Sequence, residues 1–365
     1  MSRLGPIYAA IAIFPLIAAG AALPYVALQY RRNGSLGAGQ LLLAGLFGLY
    51  LVGLAFAVIL PLRPVTPDFC AVFGVDPRLD PTVVVTEARL ERAGGGWSAV
   101  LRNADVQDLF LNVLLFIPLG MFVRHLLKRG FLMTIALGAA ASLVIEATQL
   151  TGDWGLYPCA YRFFATSDLI TNTLGAGAGA LLAPLLRLIP GQSPPTDTAE
   201  QRRVTPGRRY LAALCNVALI TFAGFALLAL SGLLLDASRG QLFVSDSLRS
   251  EALRAFALVL VPGVVAFLVV PLAWQGRTPG EWAVLLRPGN TGPGSSEPHT
   301  LTIVLRFAAA QAPMLLAAAA GVAGFEPAWI ILLLLAALNA YLVWTATPWR
   351  DGALLRLGMQ ITDSR

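Results

Sequence analysis

The chain has 365 residues, 57% of them hydrophobic and 13% charged, with a mean hydropathy of +0.71, a formal net charge of +6 and a pI near 9.6. That apolar content exceeds what a soluble core of this length needs and places the chain in a lipid bilayer. The basic balance calls for no nucleic acid, because arginines beside anionic lipid at an inner membrane face account for it.

In chain order, nine apolar stretches of about 20 residues, the length that crosses the hydrocarbon core, fall near 7–28, 41–61, 109–126, 131–150, 168–186, 211–235, 253–273, 303–323 and 328–346. The expected fold is an all-α polytopic membrane protein with about nine transmembrane helices in two helical modules. The first helix has only Arg3 ahead of it and Arg31 and Arg32 behind it, the reverse of a cleaved leader. With Met1 outside, the inner segments collect Arg31, Arg32, Arg124, Lys128, Arg129, Arg187, Arg208 and Arg209, among others. By the positive-inside rule the N-terminus is therefore expected outside and the C-terminus in the cytoplasm.

The long outer loop, 63–108, contains two runs, 83–92 and 97–102, separated by Gly94, Gly95 and Gly96. A small hairpin is expected there, with a short helix as the alternative. Cys70 and Cys159 both fall in outer loops, where an extracytoplasmic pair can oxidise. Their spacing does not bring them together, so two separate thiols are the first expectation. Cys215 falls in a helix near the inner face.

Two spans carry polar stripes. Gly138, Ser142, Glu146 and Gln149 lie on one helix, and Asp168, Asn172, Gly175 and Gly179 on the next. Steps of three and four residues put each set on one face. The small residues Gly138, Ser142, Gly175 and Gly179 are expected to let the two helices pack closely. Their polar ends would then meet near the outer leaflet, joined by Asn112 from the preceding span. Arg162, in the short outer loop between the two helices, is close enough in sequence to reach either carboxylate. A charge inside the hydrocarbon costs roughly 2.5–3.5 kcal/mol on insertion scales, so Glu146 and Asp168 invite a functional explanation. The alternative is interhelical glue, with the acids paired to Arg162 or to interfacial water.

Residues 190–207, rich in proline and polar groups, read as a cytoplasmic linker. They separate a first module, 1–189, from a second, 208–365. Within the second, 275–300 is a cytoplasmic loop in which 281–287 is a candidate interfacial helix. His125 and His299 both fall on the inner side, away from the polar cluster, and no metal site or cofactor is expected. Phosphate-binding, Gly-x-Ser-x-Gly and His-Glu-x-x-His motifs are absent.

Three segments carry a likeness to a known family: Asn112-Val113-Leu114-Leu115-Phe116-Ile117-Pro118-Leu119-Gly120, then Ser142-Leu143-Val144-Ile145-Glu146-Ala147-Thr148-Gln149, then Arg162 with Asp168-Leu169-Ile170-Thr171-Asn172-Thr173-Leu174-Gly175. In order and spacing they resemble the VanZ-like family over about 41–187, which leaves the first helix as an addition. The second module resembles the RDD family over about 205–363. Gly207-Arg208-Arg209-Tyr210 resembles the start of that family's first helix, and Gln275-Gly276-Arg277-Thr278-Pro279-Gly280-Glu281 its Gly-Arg-Thr-x-Gly-Lys stretch. That family carries one arginine and two aspartates, but here Asn216 and Leu355 stand where the aspartates would be. Arg208 and Arg209 also read as inner-face anchors.

The VanZ-like resemblance implies a multi-pass protein of the bacterial cytoplasmic membrane, in a family linked to glycopeptide resistance of the teicoplanin type. Its expected partners are the lipid bilayer and a lipid-linked envelope precursor, a peptidoglycan-related molecule or a glycopeptide-type ligand held by the outer polar cluster. Catalysis with Glu146 or Asp168 as acid or base on an envelope lipid or glycan is an alternative. Transport is another.

Overall fold

The structure, a computed structural model, describes residues 5–60, 62–192, 204–238, 251–290, 298–345 and 359–364. Among them are nine helices long and apolar enough to cross a membrane, each overlapping one of the stretches read from the sequence. Most of the 190–207 linker, and Leu355, lie outside the described residues. The chain divides into two compact units, Met1–Phe14 with Gly37–Gln192, and Pro15–Leu36 with Ser193–Arg365. The first helix, α1 (Gly5–Asn33), assigned above to the first module, thus contributes to both.

The first unit contains α2 (Ala38–Ile59), α3 (Phe69–Phe73), α4 (Val83–Arg102), α5 (Ala104–Leu126), α6 (Phe131–Leu150) and α7 (Thr166–Leu182), which a 3-10 turn, Ala183–Leu188, prolongs. Asn103 caps α5, its Oδ1 accepting from Val106 N at 3.0 Å. Phe116, Leu119 and Val123 of α5 bury themselves against Ala176 of α7, with Phe47 and Tyr50 of α2 on the flank.

The expected hairpin in the outer loop is not formed: 83–102 is helical, broken at Gly96 (φ 72°, ψ −164°) where two helical pieces meet. Ala, Arg, Leu and Glu, good helix formers, dominate its centre and outweigh the valines at its start. Gly96 takes a backbone conformation that other residues resist.

Cys70 and Cys159, expected as separate thiols, form a disulfide with Cα atoms 5.9 Å apart. Pairing between distant loops creates the proximity. Val75 N donates to Ala160 O at 3.1 Å, Arg78 N to Phe164 O at 2.7 Å, and Thr166 N to Arg78 O at 3.1 Å. Beneath this join, Phe69 is buried among Phe73, Tyr157 and Tyr161.

In the second unit, α8 (Pro206–Ser238), α9 (Phe256–Ala273), α11 (Thr300–Val322) and α12 (Pro327–Thr345) are the long helices, with a short α10 (Pro279–Ala283) between α9 and α11. The segment expected to be helical at 281–287 ends its helix at Ala283. It continues as β1 (Leu286–Asn290), paired antiparallel with β2 (Met359–Asp363), Leu286 standing opposite Asp363. Val26 and Tyr30 of α1 join Cys215, Val284, Leu286 and Ile361 in the core of this unit.

α9 and α11 contain wide π turns at Phe256–Leu260, Val265–Val269 and Phe307–Gln311. Each ends two residues before a proline, Pro262, Pro271 or Pro313. Proline lacks an N–H and its ring crowds the carbonyl one turn back, so the helix widens there instead of closing its regular ladder.

Candidate functional site

The seam between α6 and α7 collects most of the polar residues read from the sequence. Asn172 Nδ2 donates to Ser142 Oγ at 2.9 Å, both groups being buried. One turn along α6, Glu146 is 2% exposed, and its Oε2 accepts from Ala165 N at 2.9 Å. Ala165 immediately precedes α7 and has no side-chain oxygen to cap it. A carboxylate on the neighbouring helix thus satisfies the N–H that a glutamate within α7 would bind in a capping box.

Asp168 sits in the first turn of α7, where a negative charge complements the helix dipole. It lies near enough for its charge to act on Glu146. Gln149 and Asp168 are half-buried at this end of the seam, and Asn112 is half-buried on α5. The other end of the Asn172 amide is unsatisfied: Oδ1 is buried and meets no hydrogen-bond donor.

Arg162 goes elsewhere. Its Nη1 donates to Ala57 O at 3.1 Å and Val58 O at 2.6 Å, and its Nη2 to Leu60 O. The guanidinium therefore caps the C-terminal end of α2, where helix carbonyls lack partners and the dipole favours a cation. The expected link from Arg162 to Glu146 or Asp168 is replaced by this one. Next to it, Tyr161 Oη donates to Asp153 Oδ2 at 2.8 Å. Burial, and then the adjacent Asp153 carboxylate, push the Tyr161 phenol above the ordinary tyrosine range.

The small residues also divide. Gly138 of α6 receives the Ala176 methyl of α7, as the facing stripes suggest. Gly175 and Gly179 pack instead on α5, where a Cβ would collide with the Val113 and Ile117 carbonyls. Thus α7 is wedged between two helices, its amide toward α6 and its glycines toward α5. Gly120 and Ala176, which the stripes did not include, complete the α5 contact.

Of the residues read in the second unit, Arg208 is a structural tie. It donates from Nε to Val284 O at 2.8 Å and from Nη2 to Leu285 O at 2.8 Å, and it pairs with Asp363 at 3.2 Å. Asn216 Nδ2 donates to Thr278 Oγ1 at 3.0 Å and its Oδ1 accepts from Gly280 N at 2.7 Å. Thr278 and Glu281 form a capping box on α10, and Glu281 also pairs with Arg306. The Thr-x-x-Glu spacing of residues 278–281 is the sequence sign of that box. Nothing in the local pattern announces the Glu281–Arg306 or Arg208–Asp363 pairs.

Together these features define a multi-pass helical membrane protein with a polar seam closed between two spans and stapled loops at the end of that seam. Residues 47–187, which include α5, α6, α7 and the loops between them, match the VanZ/LLP1 family. No curated protein and no solved structure matches the chain.

Proposed function

We propose that residues 47–187 form a ligand-binding module of the bacterial cell membrane. Its ligand is a lipid-linked or peptidoglycan-related envelope molecule, or a glycopeptide-type antibiotic aimed at one. The observation that carries this reading is the Asn172 Oδ1 acceptor, buried without a donor beside Ser142 and one turn from Asp168. An unsatisfied buried acceptor costs about 1–3 kcal/mol, so a donor from a bound molecule is favoured there. Glu146 serves as a positioning residue that fixes the loop at Ala165, while half-buried Asp168 and Gln149 offer the contacts a polar group would use.

Two further features support the reading. An apolar groove of about 450 Å³, lined by Ala139, Leu143, Leu169, Ile170 and Thr173 among others, runs along the same pair of helices and suits a hydrocarbon chain. The Cys70–Cys159 disulfide favours an oxidising, extracytoplasmic side for these loops. That agrees with an outward N-terminus and with the leaflet where envelope precursors display their head groups.

The test uses a bacterial strain whose glycopeptide susceptibility changes when the gene is deleted. Full-length Asp168→Asn and Asn172→Ala are expected to abolish complementation at unchanged membrane levels, whereas Glu146→Gln, which keeps a hydrogen-bond acceptor, retains part of it. Full complementation by both Asp168→Asn and Asn172→Ala would sink the proposal.

A further inference from the structure

The second unit has a partly open cavity of about 180 Å³ lined by α8, α9, α10, α11 and α12. Its polar lining residues include Arg209, Asn216, Glu281, Arg306, Gln311 and Asn339. Apolar side chains, among them Val217, Phe267, Met314 and Leu342, complete the lining. Ionisable side chains within membrane bundles characteristically face such cavities and mark ligand or ion pathways.

Several of the polar groups already have their bonds. Asn216 is engaged at both ends of its amide by Thr278 and Gly280. Glu281 is held by Arg306 through Oε1 and by Thr278 N through Oε2, the latter at 2.8 Å. The carboxylate is thereby committed to its own arginine and its own helix cap. Arg209, only 8% exposed, brings a second guanidinium to the lining. It has contacts of its own, and its planar guanidinium fork has the geometry that suits carboxylate and phosphate. Gln311 Oε1 is buried and meets no protein donor.

The backbone supports the same place. Gln311 ends one π turn of α11 and Phe267 lies within one of α9, and both face the cavity. Such turns displace side chains from the regular helical register and occur frequently at functional sites.

We propose that this cavity binds a compact organic anion, a carboxylate or phosphate on a short apolar body, with its charge at Arg209, an O–H or N–H of the ligand donated to Gln311 Oε1 and its hydrocarbon against Phe267 and Met314. The volume is slightly above the roughly 150 Å³ of a cavity that holds benzene, so a molecule the size of benzoate fills it. Of a phospholipid, only the head group would enter.

The experiment uses the full-length protein purified in detergent, with benzoate, inorganic phosphate and neutral benzamide as probes and intrinsic tryptophan fluorescence as the unfolding signal. At a hundredfold excess over its Kd, benzoate or phosphate is expected to raise the unfolding midpoint by roughly 5 °C. Benzamide should leave it unchanged. Arg209→Gln should weaken binding of both anions by about tenfold, the loss of a charge-assisted hydrogen bond, and Gln311→Leu should weaken phosphate by about as much, because the P–OH donates to the Gln311 oxygen and benzoate has no such donor. Should Arg209→Gln fail to fold, Gln311→Leu decides, because the Gln311 oxygen has no protein bond to lose.

A second arm reconstitutes the protein with phosphatidylglycerol or phosphatidylcholine and detects retained lipid by native mass spectrometry. Preferential retention of phosphatidylglycerol, displaced by benzoate, identifies the anion as a lipid head group. Benzoate or phosphate binding without that preference identifies a free solute. Absence of a shift with both anions, an equal shift with benzamide, or unchanged phosphate affinity in Gln311→Leu overturns the site.

Discussion

Both units hold polar and ionisable groups at or between their spans, but they do so in different ways. In the first, each group is closed against the protein: Glu146 on the Ala165 N–H, Asn172 on Ser142, and Arg162 on the carbonyls ending α2. One amide oxygen, that of Asn172, is left over. In the second, the Glu281–Arg306 pair and Arg209 stand around a cavity of about 180 Å³. The same sequence signal, a charge in an apolar stretch, therefore yields a close-packed seam with one acceptor left over in one place and a lined, partly open cavity in the other. What separates them is the neighbouring backbone. Glycines draw α7 tightly onto α5, whereas proline-associated π turns widen α9 and α11.

The sharpest break of this comparison is Glu281→Ala, which strands Arg306 without its carboxylate. A destabilisation of about 3–5 kcal/mol is expected, measured by thermal unfolding of the purified protein. Replacing both partners by methionine should recover most of that loss, because the desolvation penalty disappears with the charges. A double variant as unstable as the single one would show that the pair matters beyond its charge.

Next in size is the staple of the first unit. Cys70→Ser with Cys159→Ser, or reduction of the wild type, should lower stability by about 2–4 kcal/mol. The loss should appear as earlier proteolysis in the 63–108 loop while the second unit resists as before.

A smaller effect distinguishes capping from charge at the seam. Glu146→Leu leaves the Ala165 N–H without its acceptor and should cost about 1–3 kcal/mol. Glu146→Gln keeps an acceptor in place and should cost less than half as much. Equal losses would mean that the negative charge itself, and not the hydrogen bond, holds α7 in position.

The smallest effect concerns pH. Tyr161 has its phenol pushed up in the folded protein, so the stabilisation it gives is complete below the unfolded tyrosine value of about 10. It is lost as pH rises from there toward the folded value, because the unfolded chain ionises first. Unfolding midpoints followed from pH 8 to 11 should therefore fall more steeply for wild type than for Tyr161→Phe.

Much of this was legible in the residues, and the exceptions have physical causes. The apolar stretches locate the spans because bilayer thickness imposes their length, and three- and four-residue steps bring Ser142, Glu146, Asp168 and Asn172 to one seam. The destination of Arg162 was not legible, because the carbonyls it caps lie about a hundred residues away and carry no side-chain signature. Gly175 and Gly179 look equivalent to Gly138 in spacing, yet a helix has several faces, and only packing decided that theirs meets α5. The pairing of 286–290 with 359–363 brings together segments that local pattern could not match.

The disulfide has a consequence for how the protein is made. Cys70 and Cys159 stand 89 positions apart in sequence, with both α5 and α6 between them, so the closed ring passes through the bilayer twice. Neither crossing can still be pending when the bond forms, because both sulfurs must already lie on one face. Closure can thus follow but never precede insertion of the α5–α6 hairpin, and thereafter neither helix can leave the membrane without carrying the ring with it.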